Sequence, residues 1–61
     1  MVYDNVKRIA DERKIPIAKL ERKADIANGT IGKWKTGMPR MDSLKKVADY
    51  LNVTVDELIK E

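Results

Sequence analysis

The chain contains no cysteine and no histidine, and its single serine is Ser43. Without cysteine no disulfide can staple the fold. Without cysteine and histidine the usual ligand sets for structural zinc are missing too. The common nucleophile–base pairs disappear with them, so no catalytic residue is assigned and an enzyme is not expected. Asp11, Glu12, Asp56 and Glu57 lie on helix surfaces beside basic residues and read as solvated. No segment alternates with period two, so no strand is expected and no glycine-rich phosphate loop can follow one. Neither metal nor cofactor is expected. Long apolar runs are absent as well: Met1 to Ala10 carries Asp4, Lys7 and Arg8, and nothing approaches a signal peptide or a membrane span. A cytoplasmic location is the expectation.

What is present suits one small folded domain, residues 1–61. A chain of 61 residues lies near the lower end of what folds unaided. It must rest on packing alone, which at this size leaves only a few kcal/mol of net stability. Hydrophobic residues make up 43% of the chain, enough for a compact core despite 38% charged residues. The formal net charge of +3 is unevenly spread. Arg13 to Arg40 holds eight basic residues against Glu21 and Asp25, a balance of +6, and the remainder stands at −3. Such segregation suits a face for a polyanion, although lysines that merely solubilise a small helical protein are the plainer reading.

Hydrophobic spacing predicts five short helices. Val2, Val6, Ile9 and Ala10 define a first helix ending near Arg13 or Lys14. Pro16 suits the opening of a second, from about Ile17 to Ala24, because its fixed φ fits a first turn that needs no amide donor. Asp25-Ile26-Ala27 is long enough only for a tight turn. A third helix is predicted over Asn28 to Lys35, with Ile31 and Trp34 facing the core and Gly37 and Pro39 ending it. Gly29 and Gly32 each lower its helicity by roughly 1 kcal/mol relative to alanine. Such a helix must be held by its neighbours. Leu44, Val47, Ala48 and Leu51 predict a fourth helix from about Met41 to Leu51, with Asn52 as terminator. Thr54 followed by Glu57 is a capping-box pattern opening a last helix through Val55, Leu58 and Ile59.

The second and third helices, joined by a three-residue turn, have helix-turn-helix spacing. Here the chain resembles the lambda-type repressor and Cro family, also called the XRE family, of bacterial and phage regulators. The resemblance rests on Leu20 and Ala24, then Asn28-Gly29-Thr30-Ile31-Gly32-Lys33-Trp34-Lys35-Thr36-Gly37, Pro39, the run from Leu44 to Val53, and Leu58. It spans about Val6 to Ile59. The pair Leu20-Glu21 and the Asn-Gly-Thr-Ile start look most like regulators of Gram-positive bacteria and their prophages. The resemblance implies an all-α, lambda-repressor-like five-helix domain that binds double-stranded DNA in the major groove. A repressor on a palindromic operator is the implied role, acting as a homodimer in contact through Val55, Leu58 and Ile59.

The resemblance also implies site residues. Asn28, Gly29, Thr30 and Lys33 fall where the family meets base edges, and their chemistry fits. Asn28 can pair with adenine, although capping the third helix is a competing role because Ala27 before it cannot cap. Lys33 can donate to guanine O6 and N7, and Thr30 offers a hydroxyl and a methyl. Phosphate contacts are expected from Lys14, Lys19, Lys35, Thr36, Arg40 and Ser43, and from the backbone amide of Ile17. Trp34 shares a face with Ile31 and reads as core. Four departures stand out. Glu21 replaces a small residue, Asp25 replaces the usual turn glycine, and Ile17 stands where many members have glutamine. Ala10 and Lys35 stand where many members form an ion pair, which leaves Lys35 for phosphate. The main rival reading is a protein-interaction module using the apolar tail. A membrane-surface amphipath is disfavoured because the basic residues spread over several helices.

Overall fold

The computed structural model describes residues 1–60. Four α-helices and one 3-10 helix follow each other along the chain: α1 (Val2–Glu12), α2 (Ile17–Lys23), the 3-10 helix (Ile31–Lys35), α3 (Met41–Leu51) and α4 (Val55–Ile59). Among the described residues there is no strand, and no helix is long and apolar enough to cross a membrane.

The core is a single cluster assembled from every element. It takes Val6, Ile9 and Ala10 from α1, Leu20 from α2, and Ile31 and Trp34 from the 3-10 helix. Ala24 just after α2, Leu44, Val47, Ala48 and Leu51 of α3 and Leu58 of α4 complete it. The expected apolar stripes are therefore the buried ones. Leu58 is fully buried and Val55 is half-buried against the cluster, so the expected dimer contact through Val55, Leu58 and Ile59 needs correcting. Of the three, only Ile59 presents a large apolar surface, at 45% exposure. The domain needs Leu58 for itself.

Three of the α-helices end in the same way, and none of the endings uses a glycine. Lys14, Asp25 and Asn52 each adopt a left-handed backbone, with φ of 58°, 63° and 58°. The residue after each donates its N–H back across the last turn: Ile15 to the Ala10 carbonyl at 2.8 Å, Ile26 to Glu21 at 3.0 Å, Val53 to Ala48 at 3.0 Å. This is the Schellman arrangement, and the accompanying apolar residue (Ile15, Ile26 or Val53) packs onto the core. Arg13 adds a side-chain donor at the α3 end, and Asn5 closes the end of α4. The Arg13 guanidinium donates to the Leu51 carbonyl at the end of α3. Asn5 Nδ2 donates to Leu58 O at 2.8 Å and to Lys60 O at 2.6 Å. At the start of α4, the Glu57 N–H donates to Thr54 Oγ1 at 3.1 Å, the first half of the expected capping box.

A left-handed conformation costs a side-chain-bearing residue roughly 1–2 kcal/mol, partly offset in glycine by its larger unfolded-state entropy. Asp25→Gly and Lys14→Gly are each expected to stabilise the domain by about 1 kcal/mol, raising Tm by about 4–8 °C in thermal unfolding. An unchanged or lower Tm would count against left-handed strain at these positions.

Candidate nucleic-acid interface

The expected third helix, Asn28 to Lys35, is shorter than its apolar spacing suggested. Asn28–Thr30 form a turn, and helical geometry begins at Ile31 and is 3-10 in type. The reason is local. Gly29 has φ of +91°, a value incompatible with a right-handed helix and open only to glycine at little cost. Asn28, Gly29 and Thr30 therefore sit on the approach to the helix and not on it. The turn is closed by Thr30, whose N–H and Oγ1 both donate to the Ala27 carbonyl, at 3.1 and 2.6 Å.

Glu21 holds this turn against α2. Among the described residues it is the one buried charged residue, 3% exposed. Its two carboxylate oxygens accept separate backbone donors: Gly29 N–H to Oε1 at 3.0 Å and Ile31 N–H to Oε2 at 2.9 Å. Its own carbonyl accepts the Ile26 N–H. The first N–H groups of any helix lack an intrahelical acceptor, and a buried carboxylate facing them satisfies both sides. Among the described residues, no buried side-chain polar atom is left without a partner. In the sequence Glu21 stood out only as an acid where a small residue was expected. Its distance from Ile31 along the chain concealed its task.

The 3-10 period of three residues per turn sorts the segment into columns. Ile31 and Trp34 stack on the core side, 0% and 4% exposed. Thr30 and Lys33 share a second column and line one open groove with Arg40 and Ser43 of the α3 start. The structure thus brings four of the expected DNA-contacting residues together. Lys46 of α3, which sequence reasoning missed, also lines this groove and donates to the Asp25 carbonyl at 3.3 Å. Met38, 91% exposed, borders it. Lys35 falls in the remaining column and points elsewhere, with its ammonium 4.9 Å from the Tyr3 ring centroid on α1.

Other expected residues are placed differently. Asn28 is exposed and lines a second open cleft, on the α2 side, with Ala18 and Arg22. Because Glu21 takes its N–H, Gly29 retains only its Cα and carbonyl for a ligand. Thr30 gives its hydroxyl proton to Ala27 and so meets a base as an acceptor and a methyl. The Ile17 side chain packs on the core, which leaves its amide, in the first turn of α2, without an intrahelical acceptor. Lys14, Lys19 and Thr36 are exposed but line neither opening. The α3 start is less free than expected, because one oxygen of Asp42 already accepts the Ser43 N–H at 2.8 Å and lies 3.6 Å from Arg40 Nε. A DNA phosphate at this point competes with a carboxylate.

The model of the Cro/C1-type helix-turn-helix DNA-binding domain family matches residues 5–60. The chain belongs to this family. No curated protein and no solved structure matches the chain. As a Cro/C1-type domain it is a DNA-binding regulator domain, and α2 with the 3-10 helix forms its helix-turn-helix.

Within this Cro/C1-type domain, Gly32 has no internal justification. Its φ is not positive, and a Cβ built there meets nothing within 4 Å. The space opens outward. Gly32→Ala is expected to stabilise the free domain by up to about 1 kcal/mol, while weakening its binding to duplex DNA if the bare backbone lies against the groove. Thermal unfolding and a DNA titration on the same variant check the two signs. Affinity unchanged beside a raised Tm would refute the close approach.

Proposed function

We propose that the protein is a sequence-specific transcriptional repressor that inserts the Asn28–Lys35 segment into the major groove of a palindromic operator. The observation that carries this reading is the division of that segment into an inward and an outward side. Ile31 and Trp34 are buried, while Asn28 and Lys33 are exposed and Thr30 is half-exposed. Asn28 donates and accepts toward adenine, and Lys33 donates to guanine. Thr30 accepts from an exocyclic amine or packs its methyl on thymine. Gly29 and Gly32 let the backbone come close. Arg40, Ser43, Lys19, Lys14 and Thr36, with the Ile17 amide, contact phosphates on either side, and Lys35 is a phosphate ligand only when it leaves Tyr3.

The Cα trace extends 23 × 21 × 17 Å, less than one turn of B-form DNA (about 34 Å). One copy covers one half-site. This size leaves room for two copies bound as a dimer with half-sites one turn apart, and Ile59 is the exposed apolar residue of α4 available between them. Repression follows from occupying DNA that polymerase must reach, in the cytoplasm of a bacterium.

Selection from a randomised duplex pool tests the reading directly and is expected to enrich a palindrome. On the selected duplex, Lys33→Ala is expected to cost roughly 1–3 kcal/mol and to relax discrimination at one base pair. Arg40→Ala is expected to weaken selected and random duplexes alike. Equal effects of Lys33→Ala on both duplexes would remove its base-reading role. Binding of an apolar protein partner with little salt dependence, beside no enrichment of DNA, would replace the reading.

A further inference from the structure

Arg22 stands out only once α2 is packed beside the Asn28 turn. It lines the cleft on the α2 side of the segment together with Ala18, Glu21, Ile26 and Asn28, and Ile26 also borders the Lys33 groove. Ala18 lies one turn before Arg22 on the same face of α2, and its small side chain keeps the cleft open. Among the described residues, the Arg22 guanidinium has no hydrogen bond and no ion pair. The adjacent acid would be its obvious counter-charge. Glu21 is instead turned inward, with both oxygens on the Gly29 and Ile31 amides. One residue on α2 thus faces inward to shape the segment, and its neighbour keeps an uncompensated positive charge beside Asn28.

Three other basic side chains near the segment are already engaged. Arg40 lies beside Asp42, Lys46 donates to Asp25, and Lys35 covers Tyr3. Arg22 is both free and next to a residue assigned to a base edge. In a helix-turn-helix the first helix crosses the DNA backbone while the second enters the groove. A side chain on α2 beside Asn28 therefore meets the strand flanking the base that Asn28 reads, and a planar guanidinium matches two oxygens of one phosphate.

We propose that the cleft between Ala18, Arg22 and Asn28 is a binding site for one DNA backbone phosphate, with Arg22 as its bidentate ligand. The proposal rests on the DNA-binding reading above and adds to it a contact that sets the position of Asn28 over its base.

Three variants at exposed positions test it: Arg22→Gln, Arg22→Lys and Lys23→Gln. Lys23 is the neighbouring cation on α2 and lines a different opening, beside Asp49 and Tyr50. Affinity is measured against salt concentration on the selected duplex and on a scrambled one. Arg22→Gln is expected to weaken both about tenfold and to reduce the log–log salt slope by about 0.9, the loss of one phosphate contact. Arg22→Lys keeps most of the slope and loses part of the affinity, because one ammonium cannot bind two oxygens in fixed geometry. Lys23→Gln changes the slope little. An unchanged slope in Arg22→Gln overturns the proposal. So does an equal effect of Lys23→Gln, which marks a general loss of charge, or a loss confined to the selected duplex, which marks base reading. Each of these leaves wild-type DNA binding intact. Wild-type protein without salt-dependent duplex binding would overturn the DNA-binding reading itself, and this site with it.

Discussion

The carboxylate of Glu21 is the constraint on which the presentation of the DNA-reading segment depends. The chain between α2 and the 3-10 helix contains Gly29, and the 3-10 helix has only five residues, one of them Gly32. Neither piece is stable alone, since helix nucleation costs more than one turn of hydrogen bonds returns. Two side chains, Ile31 and Trp34, tie the segment down from below. Glu21 ties it from the side by accepting the two amides that a short helix start leaves unsatisfied. Hydrogen bonds to an ionised acceptor each contribute about 1.5–3 kcal/mol, a large share of what a domain this small can muster.

That arrangement decides which side chains are free. With its amide held, Gly29 takes up its positive φ, and Asn28 is thrown outward at the mouth of the α2 cleft. The three-residue period then sends Lys33 to one groove and Lys35 to a different flank over Tyr3. In an α-helix of 3.6 residues per turn the two lysines would diverge by a different angle. The type of helix, and so the conformation of a single glycine before it, selects which basic residues gather at the interface.

Much of the scaffold was legible in the sequence. The spacing of Val6, Ile9 and Ala10, and of Leu44, Val47, Ala48 and Leu51, located α1 and α3, and Thr54 with Glu57 located the start of α4. These elements bury one stripe each, so period and burial agree. Asp25 in place of the usual turn glycine was legible too, and aspartate tolerates the left-handed region that it adopts. Three features were not. The start of the third helix was misplaced because the spacing of Ile31 and Trp34 says nothing of the φ at Gly29. Glu21 was hidden because its partners are backbone amides, which carry no sequence signature. The charge count from Arg13 to Arg40 overstated the basic face, since Arg13 turns to the Leu51 carbonyl and Lys35 to Tyr3. For the interface, Lys33 and Asn28 were found from their types and the family's pattern, whereas Lys46 and Arg22 required the packing of α2 and α3 around the segment.

Amide hydrogen exchange of the free domain, resolved residue by residue, tests the role of Glu21 most directly. The account predicts slow exchange at Gly29 and Ile31 relative to the neighbouring Asn28 amide. In Glu21→Leu that protection is lost while the amides in the middle of α1 and α3 stay slow. Exchange at Gly29 and Ile31 as fast as in an unstructured chain in the wild type, or protection undiminished by Glu21→Leu, would contradict it.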